Sequence, residues 1–214
     1  MGNRLITITE ALGSGAPQVS RAVGDRLGIR VVDREVLLRA AQSAGVTAQT
    51  IEEAERAPSF LARMADWLQS SWQPADTDGV FENHLNLSIV TNDRYRELIE
   101  EVIRNIADTG DAVILGHGAH VILRDHPDGI RVYLNAPFAT RVARVMEAES
   151  LDQPAAEKLA REHDLSRRSF FEETHKVRRN EAQNYDLCLR TDKLSFDACA
   201  AAICLVLDEV QAPA

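Results

Sequence analysis

Lysine is nearly missing from this chain: of 24 basic residues, only Lys158, Lys176 and Lys193 are lysines, and the rest are arginines. None lies near "ALGSGAPQVS" (Ala11 to Ser20), a glycine-rich stretch of the kind that often carries one. Positive charge is scarce as a whole. A formal net charge of -9 gives no non-specific attraction to nucleic acid or to an acidic membrane surface, so neither is an expected partner. Cysteine is sparse as well. Cys188, Cys199 and Cys204 are odd in number, late in the chain and not spaced as a motif. That pattern excludes a disulfide framework or a zinc site, and their apolar surroundings predict buried free thiols. No apolar run approaches the roughly 20 residues of a membrane span. "RLITIT" is too short to be the apolar region of a secretory leader, so the expected location is the cytoplasm. Repeats and low-complexity segments are missing too.

What remains suits one sizeable soluble domain: 214 residues, 45% hydrophobic and 27% charged. Leu5 to Thr9 is a short β-branched run that ends at the glycine-rich turn, the pattern of a strand. Pro17 fits the first turn of a following helix, where its missing N–H costs nothing, and Gly28 stands where a C-terminal cap belongs. "IRVVD" (Ile29 to Asp33), "AVILG" (Ala112 to Gly116), "IRVYLN" (Ile130 to Asn135) and "YDLCLRT" (Tyr185 to Thr191) read as four more strands. Tyr95, Leu98, Ile99, Val102, Ile103 and Ile106 mark an amphipathic helix. Helices are also predicted across "APFATRVARVMEAE", across the charged stretch from Gln153 to Gln183 with a break at "DLS", and after the cap Ser195. Strands alternating with helices give a three-layer α/β architecture with a mostly parallel sheet. Ligands of such sheets bind beyond the carboxyl ends of the strands. That edge gathers "ALGSGAP", "DRE", "GHGAH" and "NAP".

These pieces, in this order, resemble the cytidylate kinase-like branch of the nucleoside-monophosphate kinases, which are P-loop NTPases. The matching stretches are "ITITEALGSGAPQVSRAVGDRLGIRVVDRE", "AVILGHGAHVIL", "RVYLNAPFATRVARV", "EHDLSRR" and "YDLCLRT", covering nearly the whole chain except about Ala48 to Asn92. The resemblance implies a P-loop fold on a five-stranded sheet in one domain. Its core would be residues 1–33, 92–150 and 183–214, with a helical monophosphate-binding insert at about 34–90 and a lid at about 151–182. It implies transfer of the γ-phosphoryl group of ATP, with Mg²⁺, to CMP, dCMP or a related nucleoside monophosphate. The expected partners are small-molecule nucleotides; no sequence pattern specifies an oligomeric state.

Phosphoryl transfer asks for positioning and positive groups around spread negative charge. Gly13, Ser14, Gly15 and Ala16 are placed to face phosphates with backbone N–H groups, helped by the dipole of the next helix. The usual lysine segment is replaced by Ala16, Pro17 and Gln18. The resembled branch itself often carries glycine and arginine there, and Pro17 takes the place of that arginine. Arg21 lies one turn on, where it either bends back over the loop or sits on the solvated helix face. Asp33 and Arg34 end the second strand; the resemblance puts them at the border of the monophosphate pocket, while a helix cap explains Asp33 as well. His117 stands where the branch has an arginine that grips the acceptor phosphate, and a neutral imidazole is the weaker clamp. His117, His120 and His126 also raise a metal site, but no carboxylate or thiol set completes one. Arg141 and Arg144 match the paired arginines of the branch, which reinforce the donor phosphates. Arg161, Asp164, Arg167 and Arg168 fall in the lid. There Asp164 and Arg167 match an acceptor-binding acid and arginine, or form a surface i, i+3 ion pair. Arg178 and Arg179 are expected to be solvated. Beside the kinase reading stand a nucleotide-binding sensor or partner protein with a weakened donor site, and a kinase for another small acceptor.

Overall fold

Five apolar runs become five strands: β1 Leu5–Glu10, β2 Arg30–Val32, β3 Ala112–Leu115, β4 Gly129–Asn135 and β5 Leu187–Arg190. The computed structural model describes residues 3–33 and 93–212. The expected insert, with Arg34, lies outside the described residues. The strands form one sheet in the order β2-β3-β1-β4-β5, and every neighbouring pair is parallel. β1 is therefore central, flanked by Ala112 to Leu115 on one side and Gly129 to Leu134 on the other. Its uninterrupted burial from Leu5 to Thr9 follows from that position. The chain leaves β1 toward β2 and β3 and returns on the other side as β4, so the end of β1 is a topological switch point.

The helices are α1 Ala16–Leu27, α2 Asp93–Thr109, α3 Ala119–Ile122, α4 Phe138–Glu149, α5 Gln153–Phe170 and α6 Phe196–Gln211. Their ends obey local chemistry. Pro17 lies in the first turn of α1, and Gly28, at φ 64°, closes it by donating its N–H to the Gly24 carbonyl. Asp152 and Ser195 cap α5 and α6, accepting from the N–H groups of Ala155 and Ala198. One expectation is corrected here: α5 runs through "DLS" unbroken. No glycine or proline interrupts it, and the Asp164 carboxylate is bonded to Arg141 instead of competing for the local backbone. The helix ends later, in a π-type turn at Phe171–His175, and Lys176 at φ 54° reverses the chain.

Alternation along the strands divides the core. Ile6, Ile8, Val113, Ile130, Val132 and Leu134 pack with Val19 and Val23 of α1 and with Cys199, Ile203 and Leu207 of α6. Thr7 and Thr9 have the opposite parity, and Thr9 meets His120 of α3. α2 buries Ile99, Val102, Ile103 and Ile106. All three cysteines are free, but the expectation that all are buried is corrected: Cys199 is buried, Cys204 is intermediate and Cys188 is exposed. Cys188 belongs to β5, the last strand of the sheet order, which among the described residues has a neighbour on one side only. Among the described residues no helix is long and apolar enough to cross a membrane.

At the switch point β1 meets α4 backbone to backbone. Gly13 has φ 81°, and a Cβ built on it would lie 2.5 Å from the Arg141 carbonyl oxygen. Gly15, at φ 82°, faces the Phe196 ring, which can turn aside where a backbone cannot. Gly13→Ala therefore combines a left-handed backbone with an immovable neighbour. It is expected to lower stability by about 2–4 kcal/mol, measured by urea unfolding.

Candidate functional site

The turn from β1 into α1 is held mainly through its carbonyl groups. The Glu10 carbonyl accepts from Arg179 Nη1 at 2.8 Å, the Leu12 carbonyl from Arg141 Nη1 at 3.1 Å, and the Gly13 carbonyl from Arg144 Nη1 at 3.3 Å. Within the turn the Ser14 N–H donates to the Ala11 carbonyl at 2.9 Å, and the Val19 N–H donates to Gly15 at 3.1 Å. Pro17 has no N–H. The first turn of α1 thus retains the N–H groups of Gly15, Ala16 and Gln18 as donors for something outside the helix. With its carbonyls bound to arginines, the loop presents N–H groups and the positive end of the helix dipole, the arrangement found at anion sites in general.

The three arginines are committed side chains. Arg141 is 6% exposed; it donates to the Ala136 carbonyl at 3.2 Å and forms a forked pair with Asp164 at 2.8 and 3.3 Å. Arg144 donates to the Thr191 hydroxyl and carbonyl, both at 2.8 Å, and lies over the Phe196 ring. Arg179, expected to be solvated, is instead buried at 7% exposure and reaches within 3.9 Å of Asp164. The reversal at Lys176 turns it inward, and its own carbonyl is fixed by the Tyr185 hydroxyl at 2.8 Å. Arg178, its neighbour, is exposed as expected. Asp164 thus bridges Arg141 and Arg179.

The other expected site residues are spread around this loop. Arg167 of α5 bears on the Glu10 carboxylate. Arg161 is exposed and lies 4.5 Å from the centre of the Phe138 ring, while Arg168 is exposed on the same helix. Arg21 is exposed on α1, the second of its two expected positions. Asp33 follows β2 directly, half-buried, one residue beyond the Val32–Ile114 pairing, so it lies at the same edge as "GHGAH". In that stretch Gly116, His117 and Gly118 take φ of 80°, 55° and 73°. A left-handed histidine between two left-handed glycines is unusual backbone, of the kind that gathers at ligand sites. Arg34 lies outside the described residues. Among the described residues no group of three or more His, Cys, Asp or Glu side chains is placed to hold a metal.

Two titratable groups take surroundings that the sequence does not reveal: Glu10, which its pattern does not single out, and His120, which it raises only as a metal ligand. Glu10 closes β1; burial pushes its carboxyl up to about 7, against the lowering pull of Arg167, the Ala16 amide, Arg179 and Ser14. His120 is 2% exposed, and burial pushes it down to about 3 with the help of His175, Arg179 and Arg131. It is bonded to the Thr9 hydroxyl at 2.9 Å and to the Tyr185 hydroxyl at 3.3 Å. A neutral ring with its proton on Nε2 satisfies every member: Thr9 donates to Nδ1, Nε2–H donates to Tyr185, and Tyr185 donates to the Arg179 carbonyl. That tautomer is assigned from the network. Stacking of His120 on Tyr185, and of Tyr185 on Tyr133, carries the same column into β4.

The family model described as "Cytidylate kinase-like family" matches residues 5–193. A cytidylate kinase of Natronomonas pharaonis is 26% identical over 130 residues, covering 60% of this chain and 67% of that one. A cytidylate kinase of Methanocaldococcus jannaschii is 24% identical over 125 residues, covering 56% and 70%. Among solved structures, an uncharacterized protein from Eubacterium ventriosum superposes with a TM-score of 0.60 at 18% identity, covering 96% of this chain and 98% of that one. A shikimate kinase from Bacteroides thetaiotaomicron gives 0.52 at 13% identity, covering 97% of each. Both structural likenesses concern the fold.

His120 supplies a test of the network. The ring's folded pKa lies below its unfolded value near 6.5, so its contribution to stability is complete above that pH and is lost as pH falls toward 3. Wild type should exceed His120→Gln by about 1–3 kcal/mol at pH 7. The gap should narrow steadily on acidification below pH 6.5, measured by urea unfolding at each pH. A gap independent of pH would contradict the neutral buried ring.

Proposed function

The chain belongs to the cytidylate kinase-like family, and from that premise we propose that it transfers the γ-phosphoryl group of ATP to CMP, dCMP or a related nucleoside monophosphate. The observation that carries this reading is the loop between β1 and α1, whose carbonyls are drawn onto Arg179, Arg141 and Arg144. A phosphate chain meets N–H groups there and no opposing oxygen from those three peptide units. In this reading Gly13 to Ala16 hold the donor phosphates, and Arg141 and Arg144 support them from behind the loop.

Transfer of this kind needs two anions placed in line more than it needs a base, because the attacking phosphate oxygen is already ionised. Asp33 and His117, at the carboxyl ends of β2 and β3, border the acceptor, together with Arg34, the next residue in sequence after Asp33. Residues 34–90 act as the monophosphate-binding insert, and residues 151–182, which include α5, as the lid. Arg161, Arg167 and Arg168 then bring positive charge over the reacting phosphates. Arg167 is the one whose charge already reaches the loop, through Glu10, so it takes the part that a loop lysine plays elsewhere. Asp164 positions Arg141 and Arg179. Mg²⁺, when bound, neutralises phosphate oxygens.

A second reading, a nucleotide sensor without turnover, is favoured by one observation: Arg141, Arg144 and Arg179 are already spent on protein acceptors. The test is transfer from γ-labelled ATP, with Mg²⁺, to CMP, dCMP, UMP, AMP and GMP. Transfer to the cytidine acceptors is expected, and Arg167→Ala should lower kcat at least about 100-fold, the scale of losing one transition-state donor. No transfer to any acceptor, by a protein that ATP still protects against unfolding, would leave the sensor. Protection at 100 times the dissociation constant amounts to about 2.7 kcal/mol.

A further inference from the structure

Arg179 lies between the π-type turn and β5, in a stretch that belongs to no helix or strand. Its guanidinium is nevertheless buried and donates to the Glu10 carbonyl at 2.8 Å. The bonds that hold its backbone come from residues just after it. The Arg178 carbonyl accepts from Asn184 Nδ2 at 2.8 Å and from the Glu181 N–H at 3.2 Å. The Arg179 carbonyl accepts from the Tyr185 hydroxyl at 2.8 Å. Tyr185 is itself anchored to the sheet. Its ring stacks on Tyr133 of β4 and on His120, and Asp186, the next residue, pairs with the Arg131 guanidinium at 2.7 and 3.0 Å. His120 lies 3.3 Å from the Tyr185 hydroxyl and 2.9 Å from the Thr9 hydroxyl. Thr9 immediately precedes Glu10 in β1. The hydrogen bonds therefore close a circuit, from Thr9 through His120, Tyr185 and Arg179 back to Glu10, and all four of these bonding residues are buried. The proposed reaction uses one bond of this circuit, from Arg179 to Glu10, and gives the other three no task. Apolar side chains could fill the same column; a fully bonded polar chain specifies one geometry instead.

We propose that Tyr185 is a positioning residue for the donor-phosphate loop, acting through Arg179: its hydroxyl fixes the Arg179 carbonyl, so that the guanidinium stays on the Glu10 carbonyl and the loop stays in its nucleotide-binding form. This rests on the donor-site reading given above. The direction of each bond follows from what each group can donate. The Arg179 carbonyl only accepts, so the Tyr185 hydroxyl spends its one proton there. The hydroxyl oxygen then accepts from His120 Nε2–H, and Nδ1 of the neutral ring accepts from Thr9. Without the Tyr185 hydroxyl the Arg179 peptide can turn, and in a fraction of molecules the guanidinium leaves the Glu10 carbonyl. Affinity for a polyphosphate falls by the fraction of molecules that no longer hold the loop. Tyr185 acts on the nucleotide only by way of Arg179.

The experiment is calorimetric titration of ATP, with Mg²⁺, into the full chain, Tyr185→Phe, Arg179→Gln and the double variant. Tyr185→Phe keeps the stacked ring and removes only the hydroxyl. It should weaken ATP binding about five- to tenfold, the scale of one hydrogen bond. Arg179→Gln keeps the backbone carbonyl that Tyr185 holds but removes the guanidinium. In that background Tyr185→Phe should change the affinity by less than about twofold, because the group it acts through is gone. Ile106→Val alters the buried core of α2 near the first residue of β2, at the end of the sheet opposite the loop, and should bind ATP as wild type does. Equal weakening by Tyr185→Phe in both backgrounds, no weakening at all, or the same weakening by Ile106→Val overturns the proposal and leaves the donor site in place. If the Arg179→Gln proteins do not fold, the ¹⁵N resonance of the Ala11 amide, whose peptide carries the Glu10 carbonyl, takes over the test. It should move upfield in Tyr185→Phe, as for a carbonyl that loses a donor, and a resonance that stays in place overturns the proposal. Wild type that binds no ATP overturns the donor-site reading, and the proposal with it.

Discussion

The structure depends on arginine side chains bonding to peptide carbonyls at the end of β1. A phosphate-facing turn must expose N–H groups and hide oxygens, and hidden oxygens that lose water need other donors. An unpaired buried carbonyl costs about 1–3 kcal/mol, and here three lie within four residues, at Glu10, Leu12 and Gly13. Arg179, Arg141 and Arg144 meet that demand. Their own charges must then be balanced, and the balancing contacts assemble the domain. Asp164 docks α5 against α4 through Arg141. Thr191 joins the end of β5 to α4 through Arg144, and the Asp164–Arg179 approach brings in the chain after the π-type turn.

A second column connects the sheet with the end of α5. Tyr133 of β4 stacks on Tyr185, Tyr185 on His120, and His120 tilts against Phe171, where the π-type turn begins. The hydrogen bonds from Thr9 through His120 and Tyr185 to the Arg179 carbonyl run inside this column. Arg179 is thus fixed at both ends, its guanidinium by the loop and its carbonyl by Tyr185. Any movement of α5 toward a ligand must either carry this column along or pivot about it.

Much of this was legible in the sequence where the cause is local. The strands follow from apolar runs, α1 from Pro17 and Gly28, α6 from Ser195, and the turn from two glycines that need positive φ. The family resemblance marked Arg141 and Arg144 as a pair at the loop. What escaped is non-local. Nothing in "KVRRN" separates a solvated Arg178 from a buried Arg179, because the difference is made by the reversal at Lys176 and by Tyr185. Asp164 reads as a partner for Arg167, and its forked pair with Arg141 of α4 is a contact between helices that spacing cannot show. Glu10 reads as the polar end of a strand, and its contact with Ser14 and Ala16 exists only once the turn has closed. Cys188 sits in an apolar run that, among the described residues, has a neighbouring strand on one side only.

The central claim is that the arginines fix the loop in its anion-receiving form before any ligand arrives. Nuclear magnetic resonance of ¹⁵N-labelled protein during an ATP titration tests it most directly. The account predicts that the Arg141 Nε–H signal, held by the Ala136 carbonyl, is already present and slow to exchange without ATP. It should stay in place while the amides of Gly15, Ala16 and Gln18 shift. An Arg141 signal that appears or moves only on addition of ATP would show that the ligand builds the loop, and the account would be wrong.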